Sequence, residues 1–243
     1  MSSVQQTSLR ARGLQWSPSG DYIIVVDYES RSCAQISVLR LEGGAAALAL
    51  REAARLHARA DRRSALDSLL CETTLMAFSI TELHDTLLVV YSLHSRWPDS
   101  SNAATCALWT IPIAQLQPRR RSALDTLCRL CGLKRVGRVQ YLSQHIDKAL
   151  SQLAHVSLSR LCDLSLSPDG RHLVASANLK VVLLIDLWQL KQTHTSTVAN
   201  AVKIVHNDSN PSYSASFVWS PDGALFAMAS EWLTRDFLLL GGS

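Results

Sequence analysis

The chain has 243 residues, of which 47% are hydrophobic and 18% charged, and its net charge is +4. This length and apolar content suffice for a buried core and argue against bulk disorder. The N-terminal segment 1–12 has no apolar stretch of the kind found in secretion signals, and the longest apolar run, near 181–188, is too short to span a bilayer. We therefore expect a soluble cytoplasmic protein with reduced cysteines.

One motif occurs three times along the chain: an apolar segment, a Ser-Pro-(Ser/Asp)-Gly tetrapeptide, and a second apolar segment. Proline presets φ early in a β-turn, the Ser or Asp oxygen accepts bonds from nearby backbone, and glycine takes the left-handed conformation that closes the turn. The motif therefore predicts a repeated hairpin. Its turn residues are Pro18, Gly20, Pro168, Asp169, Gly170, Pro221, Asp222 and Gly223.

A degenerate copy lies between the first two, with Leu83-His84-Asp85 as the turn and 86–91 as the next strand. The spacing then fits successive four-stranded blades. The predicted fold is all-β, a single partial β-propeller over 1–243 with about four blades, the last one incomplete. We expect the chain to be a fragment or a piece completed by a partner. The blades are predicted at about 9–42, 71–117, 158–191 and 213–243.

Two segments differ in composition from these blades. Residues 44–70 are rich in Ala, Leu and Arg, with arginines four residues apart, and residues 119–155 carry leucines at helical spacing. Each is predicted to be a helical insertion, the second one basic. Basic side chains attract acidic proteins, anionic membrane surfaces or RNA, although a solvated helix face is the simpler interpretation. The candidate partner-binding residues are Arg119, Arg120, Arg121, Lys134, Arg135 and Arg138, with Trp97 beside a predicted loop.

The sequence carries no recognisable catalytic or cofactor-binding motif. Its eight histidines are isolated, and the Cys128-x-x-Cys131 pair lacks two further ligands at zinc spacing. We therefore predict no enzymatic activity, no cofactor, no metal and no small-molecule substrate. Four tryptophans in or beside predicted strands are expected to pack between blades. They are Trp16, Trp109, Trp188 and Trp219.

The repeated Ser-Pro-Asp-Gly hairpins and the tryptophan-bearing strands resemble the WD40-repeat superfamily, although the usual Trp-Asp dipeptide is absent and Asp186-Leu187-Trp188 only echoes it. That resemblance implies a degenerate propeller that binds other proteins. A finer resemblance is to the N-terminal propeller of the neuroblastoma-amplified-sequence protein family. It is carried by Leu87–Val90, Cys106–Trp109, Leu164–Gly170 and Leu187–Gln192.

This finer resemblance implies a subunit of a complex that tethers Golgi-derived retrograde vesicles, peripheral at the endoplasmic reticulum membrane. The leading hypothesis is a protein-binding scaffold in a multi-subunit complex. One alternative is the propeller domain of a prolyl-oligopeptidase-like serine peptidase. Another is an RNA- or chromatin-associated WD-repeat scaffold, although few aromatic residues accompany the basic ones, which makes nucleic acid the weaker choice. Deleting 119–155 is expected to weaken partner binding and leave the propeller folded.

Overall fold

A computed structural model describes most of the chain. The described residues are 13–30, 33–42, 49–58, 72–96, 102–117, 136–155, 157–178, 180–192, 201–207, 215–230 and 238–241.

The described residues form four antiparallel sheets, numbered blades 1 to 4 in chain order, and within each sheet every strand pairs with the next one in sequence. Blade 1 contains β1 (Gly13–Trp16), β2 (Tyr22–Ser30), β3 (Cys33–Glu42) and β4 (Ala49–Ala58). Blade 2 contains β5 (Glu72–Leu83), β6 (Thr86–Arg96), β7 (Asn102–Pro112) and β8 (Arg138–Tyr141). Blade 3 contains β9 (Leu161–Leu166), β10 (His172–Ala177), β11 (Val181–Asp186) and β12 (Val202–Asn207). Blade 4 contains β13 (Ala215–Trp219), β14 (Leu225–Ser230) and β15 (Leu238–Gly241).

Short helices accompany the sheets. A 3₁₀ helix (Ile113–Gln115) follows β7, α1 (Ser143–Leu153) connects blade 2 to blade 3, and α2 (Leu187–Gln192) follows β11. No helix within the described ranges is both long and apolar enough to cross a membrane.

The blades stack face to face, and each interface has its own core. One buried cluster joins blades 1 and 2, a second joins blades 2 and 3, and a third joins blades 3 and 4. The first strands of the blades, β1, β5, β9 and β13, are neighbours in that order. Sheets that radiate from adjacent inner strands form a propeller. The predicted partial β-propeller is therefore confirmed.

The predicted helix over 44–70 is wrong where the segment is described, because Ala49–Ala58 is β4, the outer strand of blade 1. Its residues Ala54, Leu56 and Ala58 alternate toward blade 2 and are at most 5% exposed. The prediction of a helix rested on arginines four residues apart. An even spacing also fits the two-residue period of a β-strand, so it does not distinguish the two. Residues 43–48 and 59–71 lie outside the described ranges.

The second predicted insertion, 119–155, is helical only in part. Residues 118–135 lie outside the described ranges, and Arg138–Tyr141 is β8, the outer strand of blade 2. The helix α1 is present, but it is integral to the fold, because Ile146, Ala149 and Leu150 are buried in the core between blades 2 and 3. Deleting 119–155 would thus remove a strand and part of a core, so the propeller would not stay intact.

Candidate functional site

The three Ser-Pro-x-Gly motifs form the predicted turns, and each joins the first two strands of a blade. Gly20, Gly170 and Gly223 have φ of 79°, 65° and 71°, the left-handed conformation that the sequence predicted. In each turn the glycine N–H donates to the carbonyl of the first serine, at 2.9–3.0 Å. The degenerate turn is also confirmed, with Leu83 paired to Thr86 and His84 at φ 49°.

Side-chain hydrogen bonds brace the backbone of these turns. The Ser167 hydroxyl accepts the His172 N–H at 2.8 Å, and the Asp169 carboxylate accepts the Arg171 N–H at 3.0 Å. The Ser220–Asp222 turn repeats this pattern at 2.9 Å and 3.0 Å. The backbone of each turn is therefore held by its own side chains, which makes the turns a rigid surface.

Hydrogen bonds to the ionised form lower the pKa of both turn aspartates. At Asp169, burial works in the opposite direction, but the bonds from Ser167 and Arg171 outweigh it and its pKa is lowered. At Asp222, the bonds from the Ser220 hydroxyl and the Ala224 N–H lower the pKa. Both turns therefore carry a full negative charge at neutral pH.

The four turns meet at one end of the propeller axis. The Ser19 hydroxyl donates to Glu82 at 2.7 Å, which links the first turn to the end of β5. The Thr81 hydroxyl donates to the Pro168 carbonyl at 3.1 Å, which links β5 to the third turn. A Cβ on Gly223 would lie 3.6 Å from the Pro168 ring, which places the fourth turn beside the third. We call residues 17–20, 83–86, 167–170 and 220–223 the turn rim.

Of the candidate partner-binding residues, only Arg138 lies in the described ranges. It is exposed at the first position of β8 and pairs in register with Thr110. That register continues through Leu88 to Thr81, so Arg138 lies a sheet's width, about 14 Å, from Thr81 beside the turn rim. The others fall outside the described residues and stay predictions: Arg119, Arg120, Arg121, Lys134, Arg135 and Trp97.

The tryptophans divide into two pairs. Trp109 is fully buried and Trp219 packs between blades 3 and 4, where its Nε1 donates to the Ser165 carbonyl at 3.1 Å, as predicted. The prediction is wrong for Trp16 and Trp188, which are 55% and 62% exposed. Trp188 belongs to α2, beside the end of β11, and its aromatic ring is available for contacts with a partner.

Sequence reasoning missed a group of side chains beside the third turn. His172 follows this turn directly, and its ring stacks on Trp219 with centroids 6.2 Å apart. In register with His172 lies Asp186, at the end of β11. The only indication of this group in the sequence is Asp186-Leu187-Trp188, which partly resembles the Trp-Asp dipeptide of WD40 repeats.

Burial lowers the pKa of His172, and the nearby cations Arg171 and Lys203 add to this effect, while the Asp186 and Asp169 carboxylates oppose it. A folded-state pKa below the unfolded value of 6.5 means that the unfolded chain binds protons more readily. The free energy of unfolding is therefore highest above pH 6.5, and it decreases as the pH falls from 6.5 through the lower folded-state pKa of His172. We expect urea unfolding to show this decline in the wild type and a shallower one in His172→Gln. Should His172→Gln decline as steeply as the exposed-turn control His84→Asn, the assignment is contradicted.

A groove of about 500 Å³ lies between the inner strands, away from the turn rim. It is lined by the first halves of β5, β9 and β13 and by Gly13 of β1. A Cβ on Gly13 would lie 2.5 Å from the Phe78 ring, so glycine at this position allows blades 1 and 2 to approach closely. All four inner strands thus contribute residues to the groove, and its lining includes both polar and apolar side chains.

Cys106 and Cys162 are not placed for catalysis. Cys106 and Cys162 are free thiols that are buried, and burial raises the pKa of Cys106 to about 12, which keeps it protonated and unreactive. Within the described ranges, no group of three or more His, Cys, Asp or Glu side chains is arranged to hold a metal ion. The Cys128-x-x-Cys131 pair lies outside those ranges.

No profile of a known protein family and no curated protein matches the chain. Among solved structures, it is similar to the β-propeller domain of Cps50 (Swd1) from Myceliophteria thermophila, with 12% identity and a TM-score of 0.44 over 98% of this chain and 62% of that one. It is also similar to Sqt1 from Saccharomyces cerevisiae, with 11% identity and a TM-score of 0.39 over 94% and 59%. Both likenesses are distant. The chain spans about three fifths of the length of each of these structures.

Proposed function

We propose that this protein is a non-enzymatic, protein-binding scaffold in a multi-subunit complex. The observation that carries the proposal is the turn rim, where four turns, three of them braced by their own side chains, present exposed side chains at one end of a rigid set of sheets. Binding residues are often carried by loops that a rigid scaffold positions. Leu83 is 37% exposed at the rim among carboxylates, a mixture of apolar and charged groups that suits a protein surface.

The specific role we propose is the tethering of Golgi-derived retrograde vesicles at the endoplasmic reticulum membrane, where the protein would lie on the cytoplasmic face. This part rests on the resemblance to the neuroblastoma-amplified-sequence family, which is carried by Leu87–Val90, Cys106–Trp109, Leu164–Gly170 and Leu187–Gln192. The basic segment 119–138 supports it, since positive charge favours an anionic membrane face.

The test is quantitative mass spectrometry of proteins that co-purify with the tagged chain from cells. A rim variant carries Leu83→Ser and Asp85→Asn on the turn rim and Asp21→Asn directly after its first turn, all at exposed positions. A control variant carries Gln144→Ala and Gln152→Ala on the exposed face of α1. We expect a defined set of partners with the wild type and the control, reduced about tenfold or more with the rim variant, since loss of a few central residues removes most interface energy.

The outcomes separate the two levels of the proposal. Equal recovery by the rim and control variants would contradict the rim as the binding surface, and the lack of any enriched partner would contradict the scaffold function. Recovery of partners without tethering subunits or syntaxin-type SNAREs would overturn only the trafficking role.

A further inference from the structure

A small polar cavity lies in blade 3 beside the turn rim. Its volume is about 80 Å³, and it is bounded by the starts of β10 and β12, the end of β11, and α2. The lining residues are Arg171, His172, Leu184, Asp186, Gln189, Ala201 and Lys203. Three strands and a helix therefore converge on one pocket with two cations, an imidazole and a carboxylate.

The single carboxylate of the pocket is already engaged. Asp186 Oδ1 accepts the backbone N–H groups of Trp188 and Gln189, both at 2.9 Å. Its Oδ2 accepts a bond from the Arg171 guanidinium at the long distance of 3.4 Å. The side chain of Asp186 is only 13% exposed, whereas that of Arg171 is 56% exposed. The carboxylate of Asp186 thus holds the turn into α2, and it engages only one donor of the largely exposed Arg171 guanidinium.

Two further polar residues of the pocket, Lys203 and His172, have nitrogen atoms without a partner in the described part of the chain. Lys203 is exposed and makes no hydrogen bond or ion pair within the described part of the chain. The buried Nδ1 of His172 also lacks a hydrogen-bond partner there. The two cations, Lys203 and Arg171, therefore favour an anionic group with several acceptor oxygens.

The size of the cavity narrows the class of ligand. Sites for whole metabolites are usually several hundred Å³, whereas this one, at about 80 Å³, has room for a few water-sized groups. A carboxylate at the tip of a side chain fits this space. The exposed Trp188, whose backbone N–H donates to Asp186, lies beside the pocket. Its indole ring provides an aromatic surface for residues that flank the carboxylate in a bound protein segment.

We propose that this cavity binds a carboxylate side chain from an acidic segment of a partner protein. The carboxylate pairs with Lys203 and Arg171, and an apolar neighbour in the same segment packs on Trp188. The proposal rests on the scaffold function and assigns one of its binding surfaces and the charge of the partner. It differs from the sequence-based expectation, which placed partner binding on 119–138.

The test uses the full chain and a short fluorescein-labelled peptide in which glutamate alternates with leucine and serine. A twin peptide has every glutamate replaced by glutamine. Affinities are measured by fluorescence anisotropy. We expect the glutamate peptide to bind at least about tenfold more tightly than its twin, because only the carboxylates pair with the cations. Lys203→Glu and Arg171→Glu should each weaken binding of the glutamate peptide about tenfold or more.

Lys180→Glu is the matched control, since it makes the same charge change at an exposed position between β10 and β11, at the opposite end of the same blade. It should leave the affinity within about twofold, because exposed charges beyond a Debye length are screened. Trp188→Ala should weaken the glutamate peptide as well. Thermal unfolding checks that each variant is folded, and Lys203→Gln repeats the test with the charge removed and not reversed.

Several outcomes would overturn the inference. Equal losses with Lys203→Glu and Lys180→Glu would reduce the effect to overall charge, and equal binding of the two peptides would exclude a carboxylate site. If free succinate displaces the peptide at equal concentration, the site belongs to small carboxylates and not to protein segments. If no peptide binds while the rim variant still loses its cellular partners, the inference fails and the scaffold function stands.

Discussion

Replacing Trp109 with alanine is expected to lower the free energy of unfolding by about 3–5 kcal/mol. The indole is fully buried in the core between blades 1 and 2. Its Nε1 donates to the Val136 carbonyl at 2.7 Å, which fixes the segment that leads into β8. This decrease is a large fraction of the free energy of unfolding of an ordinary domain. Urea denaturation followed by circular dichroism measures it without relying on the fluorescence of the deleted side chain.

Two further variants separate the contributions at this position. Trp109→Phe keeps an aromatic ring but leaves the buried Val136 carbonyl without its donor, so we expect a cost of about 1–3 kcal/mol. Trp16→Ala removes the same side chain where it is 55% exposed and should cost less than about 1 kcal/mol. A Trp109→Ala cost no greater than that of Trp16→Ala would show that the core between blades 1 and 2 is wrongly assigned.

The second large effect is expected for Gly137→Ala. Gly137 has φ 75°, and a Cβ built there would lie 2.3 Å from the Thr110 carbonyl oxygen. That atom is backbone of β7, so the clash cannot be relieved by a side-chain rotation. Because Thr110 pairs with Arg138, the clash pushes β8 away from the sheet. We expect a loss of about 2–3 kcal/mol of unfolding free energy and faster amide exchange in β8.

Gly20→Ala is the matched control for this clash. Gly20 has nearly the same conformation, φ 79°, but nothing lies within 4 Å of the Cβ that alanine would add. Its cost should be that of the left-handed backbone alone, about 1 kcal/mol. The comparison therefore isolates steric contact from backbone strain. Equal costs for the two variants would mean that Thr110 does not approach Gly137 as closely as described.

The turns could be predicted because their chemistry is local. Proline, a hydrogen-bonding side chain and glycine act within four consecutive residues, so the turn Ser167–Gly170 can be recognised without knowing what it contacts elsewhere. Helix α1 could be predicted for a similar reason, since Ile146 and Leu150 lie one turn apart and both are buried.

The outer strands were missed because their signal depends on what they pair with. Ala49–Ala58 contains residues that favour helices, and only pairing with β3 makes it a strand. The pocket was missed for the same reason. Arg171, Asp186 and Lys203 are dispersed along the sequence and come together through the registers of β10, β11 and β12. No spacing rule on a single segment joins them.

The separate cores at the blade interfaces have a consequence for how substitutions combine. Each core is shared by two neighbouring blades, and in the described part of the chain no core joins blade 1 to blade 4. Free-energy changes from sites that share no core are close to additive, whereas sites within one core are coupled. The stability of the protein is therefore distributed over separate cores between neighbouring blades. We expect the free-energy changes of substitutions at Phe226 and at Ile24 to be additive.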